Sequence, residues 1–537
     1  METRARDSVI VTRRFIRCCK QRKRNIKVAD SISGGLSGGQ LLTRTLVLRR
    51  LLRRHVLADE EQFVGVLLPP SKAGVIANMA LSIDRRVAVN LNYTLTSKEM
   101  NQCIQQAGIK RVLTSKKFMD KLDCLLDAEV VFLEDLADKP TMGDKLLSAW
   151  EAFVTPAGRL EKKLKLDEVR PGDLLTLIFT SGTTGQPKGV MLTYANVGSN
   201  VDAISQLVSL THDDTLVGVL PFFHSFGFTV TLWTVMALDL CAAYHVTPLE
   251  ARQIGKLCRT FKGTFLVATP TFLRSYVRRC TEEDFATLDA VVTAAERLSP
   301  ALADAFEKKF NVRPVEGYGA TETSPVASLN VPPNRSPSGE NRVDCREGTV
   351  GKPIPGVTAR IVDPDTSEEL SIGESGMLWL KGPNVMRGYY GRDDLTAKVL
   401  QDRWYVTGDI ALVDDDGFIK ITGRQSRFSK IGGEMVPHIR VEEVLNRAAG
   451  AEEKGELVLA VTAVPHPKKG EQLVVLHTKL DKAPAELIAA LRQEGLPNIF
   501  IPAEDRFLEV DDIPILGTGK LDLKALKQMA VNLLRIE

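Results

Sequence analysis

Thr180-Ser181-Gly182-Thr183-Thr184-Gly185-Gln186-Pro187-Lys188-Gly189 follows the apolar run Leu174 to Phe179 and precedes a helix-like run from Tyr194. The order is strand, tight loop, helix. Its glycines let the backbone turn with N–H groups pointing inward, its hydroxyls add donors, and Lys188 supplies positive charge, which together make an anion cradle fit for a polyphosphate. The spacing does not match the G-x-x-x-x-G-K-[ST] loop, so an ordinary P-loop is excluded. Alone, a Gly/Ser/Thr run reads equally as a flexible connection. The motifs downstream decide between the two.

The chain has 537 residues, 44% of them apolar and 26% charged. A single core stops growing well below this length, so two or three domains are expected. A formal charge of +3 gives no reason to expect nucleic acid as a partner. The charge is uneven: Arg4, Arg6, Arg13, Arg14, Arg17, Lys20, Arg22, Lys23, Arg24 and Lys27 face only Glu2 and Asp7 within residues 1–27, a net of +8 that leaves −5 for the rest. This stretch is expected to be a basic tail, dispensable for chemistry, either solvated or touching an anionic membrane surface. The eight cysteines show no C-x-x-C pairing, so neither a disulfide framework nor a zinc site is indicated and a reducing cytoplasm fits. Arg13, Arg14 and Arg17 interrupt any apolar core of a secretory signal,. The apolar run Phe226 to Leu238 falls short of the about 18 residues a membrane span needs and reads as a buried helix.

Phe63 to Leu68, Val87 to Leu91, Val112 to Thr114 and Val130 to Leu133 are short apolar runs alternating with helical patterns, one of which begins with a capping box at Thr96 and Glu99,. Such alternation predicts βαβ units and a mainly parallel sheet. Residues 155–170 read as a surface connection. Gly35-Leu36-Ser37-Gly38-Gly39 matches G-x-S-x-G, the nucleophile elbow of serine hydrolases,. The strand before it would be short and polar, and no histidine is identified to complete a triad, so a Gly-rich turn capping the following leucine- and arginine-rich helix is the plainer reading.

Beyond the phosphate loop come Pro221-Phe222-Phe223-His224-Ser225-Phe226-Gly227, Val291 to Leu298 (VVTAAERL), Gly317-Tyr318-Gly319-Ala320-Thr321-Glu322, Trp404-Tyr405-Val406-Thr407-Gly408-Asp409, Gly423-Arg424-Gln425-Ser426, Arg427 to Val436 (RFSKIGGEMV) and Pro514-Ile515-Leu516-Gly517-Thr518-Gly519-Lys520. A carboxylate after a Thr-Gly turn is a natural double acceptor for two ribose hydroxyls. A lone Glu beside phosphate oxygens is what Mg²⁺ prefers. A histidine among phenylalanines reads equally as a packed core residue.

In this order, from about residue 30 to the end, the motifs resemble those of the adenylate-forming superfamily of acyl-CoA synthetases, luciferases and adenylation domains. The resemblance implies an α/β fold with a large αβα multi-sheet domain (28–422) and a small mobile α/β domain (425–537) after the tail (1–27). It implies that Thr180, Ser181, Gly182, Thr183, Thr184, Gly185 and Lys188 hold the ATP phosphates, and that Tyr318 stacks on adenine. Thr321 would contact the α-phosphate, Glu322 hold Mg²⁺, and Asp409 and Arg424 complete the nucleotide contacts. His224 and Phe226 would border the acid. Amino-acid-activating relatives would place an Asp near them, absent here, and the apolar stretch that follows suits an acyl chain. Lys520 would serve adenylation, and the loop carrying Lys430 would serve thioester formation. Ser426 departs from the Asp or Lys usual at the hinge.

Within the superfamily, the amino-terminal VADS region and RFSKIGGEMV look most like the synthetase part of acyl-[acyl carrier protein] synthetase/acylglycerophosphoethanolamine acyltransferase. No H-x-x-x-x-D pattern precedes residue 180, so a synthetase alone is expected. This implies a ligase that makes acyl-AMP from a fatty acid and passes the acyl group to the phosphopantetheine thiol of acyl carrier protein, with Arg424, Arg427, Lys430 and Arg440 attracting that acidic partner. Coenzyme A is the alternative acceptor. The cross-class alternative, the serine hydrolase, needs no ATP.

Overall fold

The computed structural model describes residues 9–180, 187–337, 343–424, 427–432, 434–450, 458–467, 469–515 and 521–535. The chain divides into two compact units, one of residues 1–360, 379–407 and 414–419, the other of residues 361–378, 408–413 and 420–537.

The first unit is built on two large sheets with helices packed on them, the expected α/β architecture. In one, the strands run Lys352–Pro353, Val326–Leu329, Val315–Gly319, Ala290–Thr293, Phe265–Ala268, Thr215–Gly218, Cys241–Tyr244, Ile26–Asp30, Gly34–Ser37, the six from Val315–Gly319 to Ile26–Asp30 being parallel. In the other they run Gly388–Tyr389, Lys188–Thr193, Leu174–Thr180, Val87–Asn90, Phe63–Val66, Arg111–Thr114, Glu129–Phe132, antiparallel only at the first two junctions. Inner strands such as Phe63–Val66 and Val87–Asn90 are buried at every residue, as βαβ crossovers that cover both faces require. The capping box at Thr96 and Glu99 starts the helix Ser97–Ala107. The run Phe226 to Leu238 is buried, as expected, but winds as a π-helix over Phe226–Thr234 before one α-turn.

The amino-terminal stretch differs from the basic tail expected. Val11–Gln21 is a helix whose Val11, Phe15, Ile16 and Cys19 are fully buried in the main core. Its cations turn inward to partners far along the chain: Arg13 and Arg17 both reach Glu161 at 2.8 Å, Arg14 pairs with Asp202, and Lys20 Nζ donates to the carbonyls of Glu151 at 2.7 Å and Ala152 at 3.1 Å. Lys27, fully buried, donates to the carbonyls of Val235, Leu238 and Leu240; burial lowers its pKa. Two glycines admit this helix. A Cβ on Gly38 would lie 2.5 Å from the Cys19 carbonyl oxygen, and one on Gly198 would lie 2.1 Å from that of Val9. Arg13, Arg14, Arg17, Lys20 and Lys27 are therefore engaged internally, Arg24 is exposed, and Arg4 and Arg6 lie outside the described residues.

The connection expected over residues 155–170 is likewise structural: Ala157–Lys163 is a helix whose buried Glu161 is the acid that Arg13 and Arg17 share. Ser37 of the G-x-S-x-G stretch caps the helix Gly38–His55, its hydroxyl accepting from Gln40 N while Gln40 accepts from Ser37 N at 2.9 Å. Ser37 is a cap, which removes the ground for the hydrolase reading. Among the described residues no helix is long and apolar enough to cross a membrane.

In the second unit Glu434–Pro437, Phe428–Ile431, Gly470–His477 and Leu459–His466 form an antiparallel sheet, extended by Phe507–Glu509. The helices His438–Ala448, Pro484–Gln493 and Leu523–Leu534 belong to the same unit.

Because Phe15 fills the core, Phe15→Ala is expected to cost about 3–5 kcal/mol. Chemical denaturation measures it; a value within error of zero would restore the dispensable tail.

Candidate active site

The strands Leu174–Thr180 and Lys188–Thr193 pair antiparallel, with Thr180 opposite Lys188. Ser181, Gly182, Thr183, Thr184 and Gly185 lie outside the described residues. Lys188 extends over the ring of Tyr389, 4.9 Å from its centroid. Tyr389 arrives there because Gly388–Tyr389 adds a short strand to the edge of that pair, with Gly388 opposite Met191 and Tyr389 opposite Val190. Its hydroxyl donates to Glu322 Oε1 at 2.7 Å. Burial, helped by the Glu322 charge, raises the phenol well above its ordinary pKa, so Tyr389 remains a donor.

Glu322, 9% exposed, lies in a 3₁₀ turn, Thr321–Thr323, just past the strand Val315–Gly319. Turn backbone needs partners, and two asparagines supply many of them. Asn384 Nδ2 donates to the carbonyls of Thr323 and Val326 at 3.0 Å each, and Asn200 Nδ2 donates to that of Val326 at 2.8 Å. Met386 N donates to the Glu322 carbonyl at 2.8 Å. Gly319 is required by close approach, since a Cβ there would sit 1.8 Å from the Pro325 carbonyl oxygen.

Ser225 Oγ donates to Thr321 Oγ1 at 3.3 Å, which joins the His224 segment to the same turn. His224 and Phe223 have ring centroids 4.6 Å apart. The His224 carbonyl accepts from Phe228 N at 2.8 Å at the head of the π-helix. Phe226 is half-buried and packs on the main core. Tyr318 pairs with Ser328 across the sheet. In the neighbouring parallel strand Thr293 is in register with Glu316, where the pairing ends, and the chain turns at Ala295, whose φ is +73°.

In the second unit, Arg424 Nε lies 2.7 Å from Asp409 Oδ1, Asp409 being buried and preceded by Gly408 at φ +76°. Lys430 belongs to the strand Phe428–Ile431, but its side chain, like Gln425, Ser426 and Lys520, lies outside what is described. On the same strand Ser429 Oγ and His438 Nε2 are 2.5 Å apart. Burial, with Arg427 and Lys527 near, lowers His438 to about 3, leaving it neutral. Arg427, expected to attract an acidic carrier protein, is instead buried and paired with Glu442, and Arg424 is engaged by Asp409. Two of the four cations expected to attract a carrier protein are thus engaged within the unit, while Arg440 is exposed and 4.0 Å from Glu443 and Glu494.

Sequence reasoning thus anticipated Lys188, Thr321 and Glu322, which the structure brings together, and Asp409 with Arg424. It missed Tyr389, Asn384 and Asn200. The only signal for Tyr389 was an aromatic pair between glycines, Gly388-Tyr389-Tyr390-Gly391.

The model of a family described as AMP-binding enzyme matches residues 16–390. The chain is 26% identical over 498 residues to a long-chain-fatty-acid–CoA ligase of Salmonella typhimurium, covering 87% of this chain and 85% of that protein. It is 26% identical over 487 residues to 4-coumarate–CoA ligase 1 of Arabidopsis thaliana, covering 88% and 84%. Among solved structures it is similar in fold to ATP-bound MatB from Rhodopseudomonas palustris, with a TM-score of 0.78 at 24% identity over 97% of this chain and 99% of that one.

Tyr389→Phe removes a donor to a charged group and is expected to cost about 1.5–3 kcal/mol. Lys188→Ala, which removes a cation–π contact, is expected to cost less than about 2 kcal/mol. Thermal denaturation of the two variants side by side checks the order.

Proposed function

The chain belongs to the AMP-binding enzyme family and is an AMP-forming acid–thiol ligase, and on that premise we propose that it activates a fatty acid to acyl-AMP and transfers the acyl group to coenzyme A. The observation that carries the adenylation site is the linked set Lys188, Tyr389, Glu322 and Thr321. Support for a fatty acid comes from the buried, apolar π-helix beginning beside His224 and from the name of the Salmonella relative. The same name supports coenzyme A over acyl carrier protein. The 4-coumarate ligase makes acid length and shape the first quantity to measure.

A carboxylic acid with a pKa of about 4 to 5 is ionised at neutral pH and needs no base before attacking the α-phosphorus. The obstacle is charge. The loop from Thr180 to Lys188 would hold the polyphosphate through backbone donors and one cation, Thr321 would meet the α-phosphate, and Asp409 would accept from the ribose hydroxyls beside Arg424. These donors act on charge that develops as pyrophosphate leaves.

Glu322 fits a divalent ion. One oxygen is held by Tyr389, the other has no hydrogen bond from the described residues, and no group of three or more His, Cys, Asp or Glu that could hold a metal stands among them. An ion here would thus be shared between one carboxylate and the nucleotide's phosphates, the manner of Mg²⁺. When bound, Mg²⁺ neutralises phosphate charge.

In this reading residues 425–537 act as a small mobile domain that presents Lys520 for adenylation and the loop after Lys430 for thioester formation. Lys520→Ala is then expected to abolish acid-dependent ATP–pyrophosphate exchange and to leave thioester formation from supplied acyl-AMP largely intact; equal loss of both in a folded variant would overturn that division. Exchange measured across carboxylic acids of increasing length tests the substrate, with no exchange for any acid contradicting the proposal. Thioester formation with coenzyme A and with holo-acyl carrier protein tests the acceptor, and a higher kcat/KM for the carrier protein would reverse it.

A further inference from the structure

The helix Met142–Phe153 is amphipathic the wrong way round. Its buried residues are Asp144, Ser148, Glu151 and Ala152, and the polar three are gripped by the helix Gly38–His55. Arg54 is bidentate on Asp144 at 2.9 and 2.8 Å, and Arg50 reaches Ser148 at 3.1 Å and also Glu151. The opposite face carries Met142, Leu146 and Trp150, exposed by 70%, 65% and 60%, and is continued by Leu147, Phe153 and Val154. Single exposed apolar side chains are ordinary, but a contiguous set on one helix marks a surface that something covers.

Charge identifies the occupant. Between residues 139 and 165 the acids are Asp144, Glu151 and Glu161, all buried. Lys139, Lys145, Arg159, Lys162 and Lys165 over the same span are exposed. The face is therefore apolar and bears a tryptophan, and the exposed charges of residues 139–165 are all cationic, with exposed acids standing outside that span at Asp138 and Asp167. That is the chemistry of a helix lying in the plane of a bilayer interface, with apolar side chains at the acyl boundary, tryptophan among the headgroups and cations against anionic lipid. A second copy of this chain would set the cations of this span against one another, which disfavours self-association.

We propose that Met142–Phe153 docks the protein peripherally on an anionic lipid surface. The contact expected of the amino-terminal cations, five of which are engaged internally, belongs to this helix instead.

Flotation of the full chain with vesicles of phosphatidylcholine, alone or mixed with phosphatidylglycerol, tests this without any turnover, so its outcome is separate from that of the exchange assay. Binding to the anionic vesicles, weakened by added salt, is expected. The double variant Leu146→Ser/Trp150→Ser should reduce it on the order of tenfold or more with an unchanged melting curve, because both side chains already face solvent. Lys145→Glu/Lys162→Glu should abolish the preference for anionic lipid. Failure of the native protein to float, or equal flotation of the Leu146→Ser/Trp150→Ser variant, overturns the proposal. So does a dimer that this variant dissolves in the absence of vesicle binding, which would give the face to a second copy.

Discussion

The carboxylate of Glu322 stays where it is because hydrogen bonds from distant parts of the chain hold the turn that carries it. Asn200 comes from the helix Tyr194–Leu207, and Asn384, Met386 and Tyr389 from a segment some sixty residues past the turn. A buried turn left without these partners would cost about 1–3 kcal/mol for each unsatisfied group. The hold on Glu322 thus depends on two large sheets being in place together: the turn follows a strand of the nine-stranded sheet, and Tyr389 is on the edge of the seven-stranded one. The side chain marks the place where the sheets must agree.

What could be read beforehand follows the range of the interactions. The Gly317-to-Glu322 motif and the Thr-Gly-Asp turn are local, since each combines a backbone conformation with a side chain one or two residues away. Gly319 illustrates the rule, as its lack of a side chain answers a carbonyl six residues on. Tyr389 and the two asparagines had no such local mark. Their roles arise from a two-residue strand and from amide contacts across 58 to 126 residues, which neither periodicity nor spacing encodes.

The amino terminus shows the same limit from the other side. Ten cations in a row of residues look like a solvated or membrane-seeking tail when charge is counted along the chain. The counter-charges of Arg13, Arg14 and Arg17 are at Glu161 and Asp202, and the carbonyl partners of Lys20 and Lys27 lie near residues 151 and 235–240. The pattern that could have corrected the count was Val11, Phe15, Ile16 and Cys19, an apolar stripe of helical spacing,. The helix Met142–Phe153 carries the opposite lesson: its buried stripe is polar, so a periodicity argument chooses the wrong face.

The same amino-terminal helix has a bearing on how the protein comes to be made. Val11–Gln21 is synthesised well before several of the groups that hold it: Arg14 pairs with Asp202 and donates to the Ala237 carbonyl, and the neighbouring Lys27 donates to carbonyls of residues 235–240. At about 5–20 residues per second the ribosome needs roughly ten to fifty seconds to deliver the carbonyls of residues 235–240, so the native bonds of Lys27 form only after that interval. Native docking of this segment is therefore completed late in synthesis, when the buried ammonium of Lys27 meets its carbonyls.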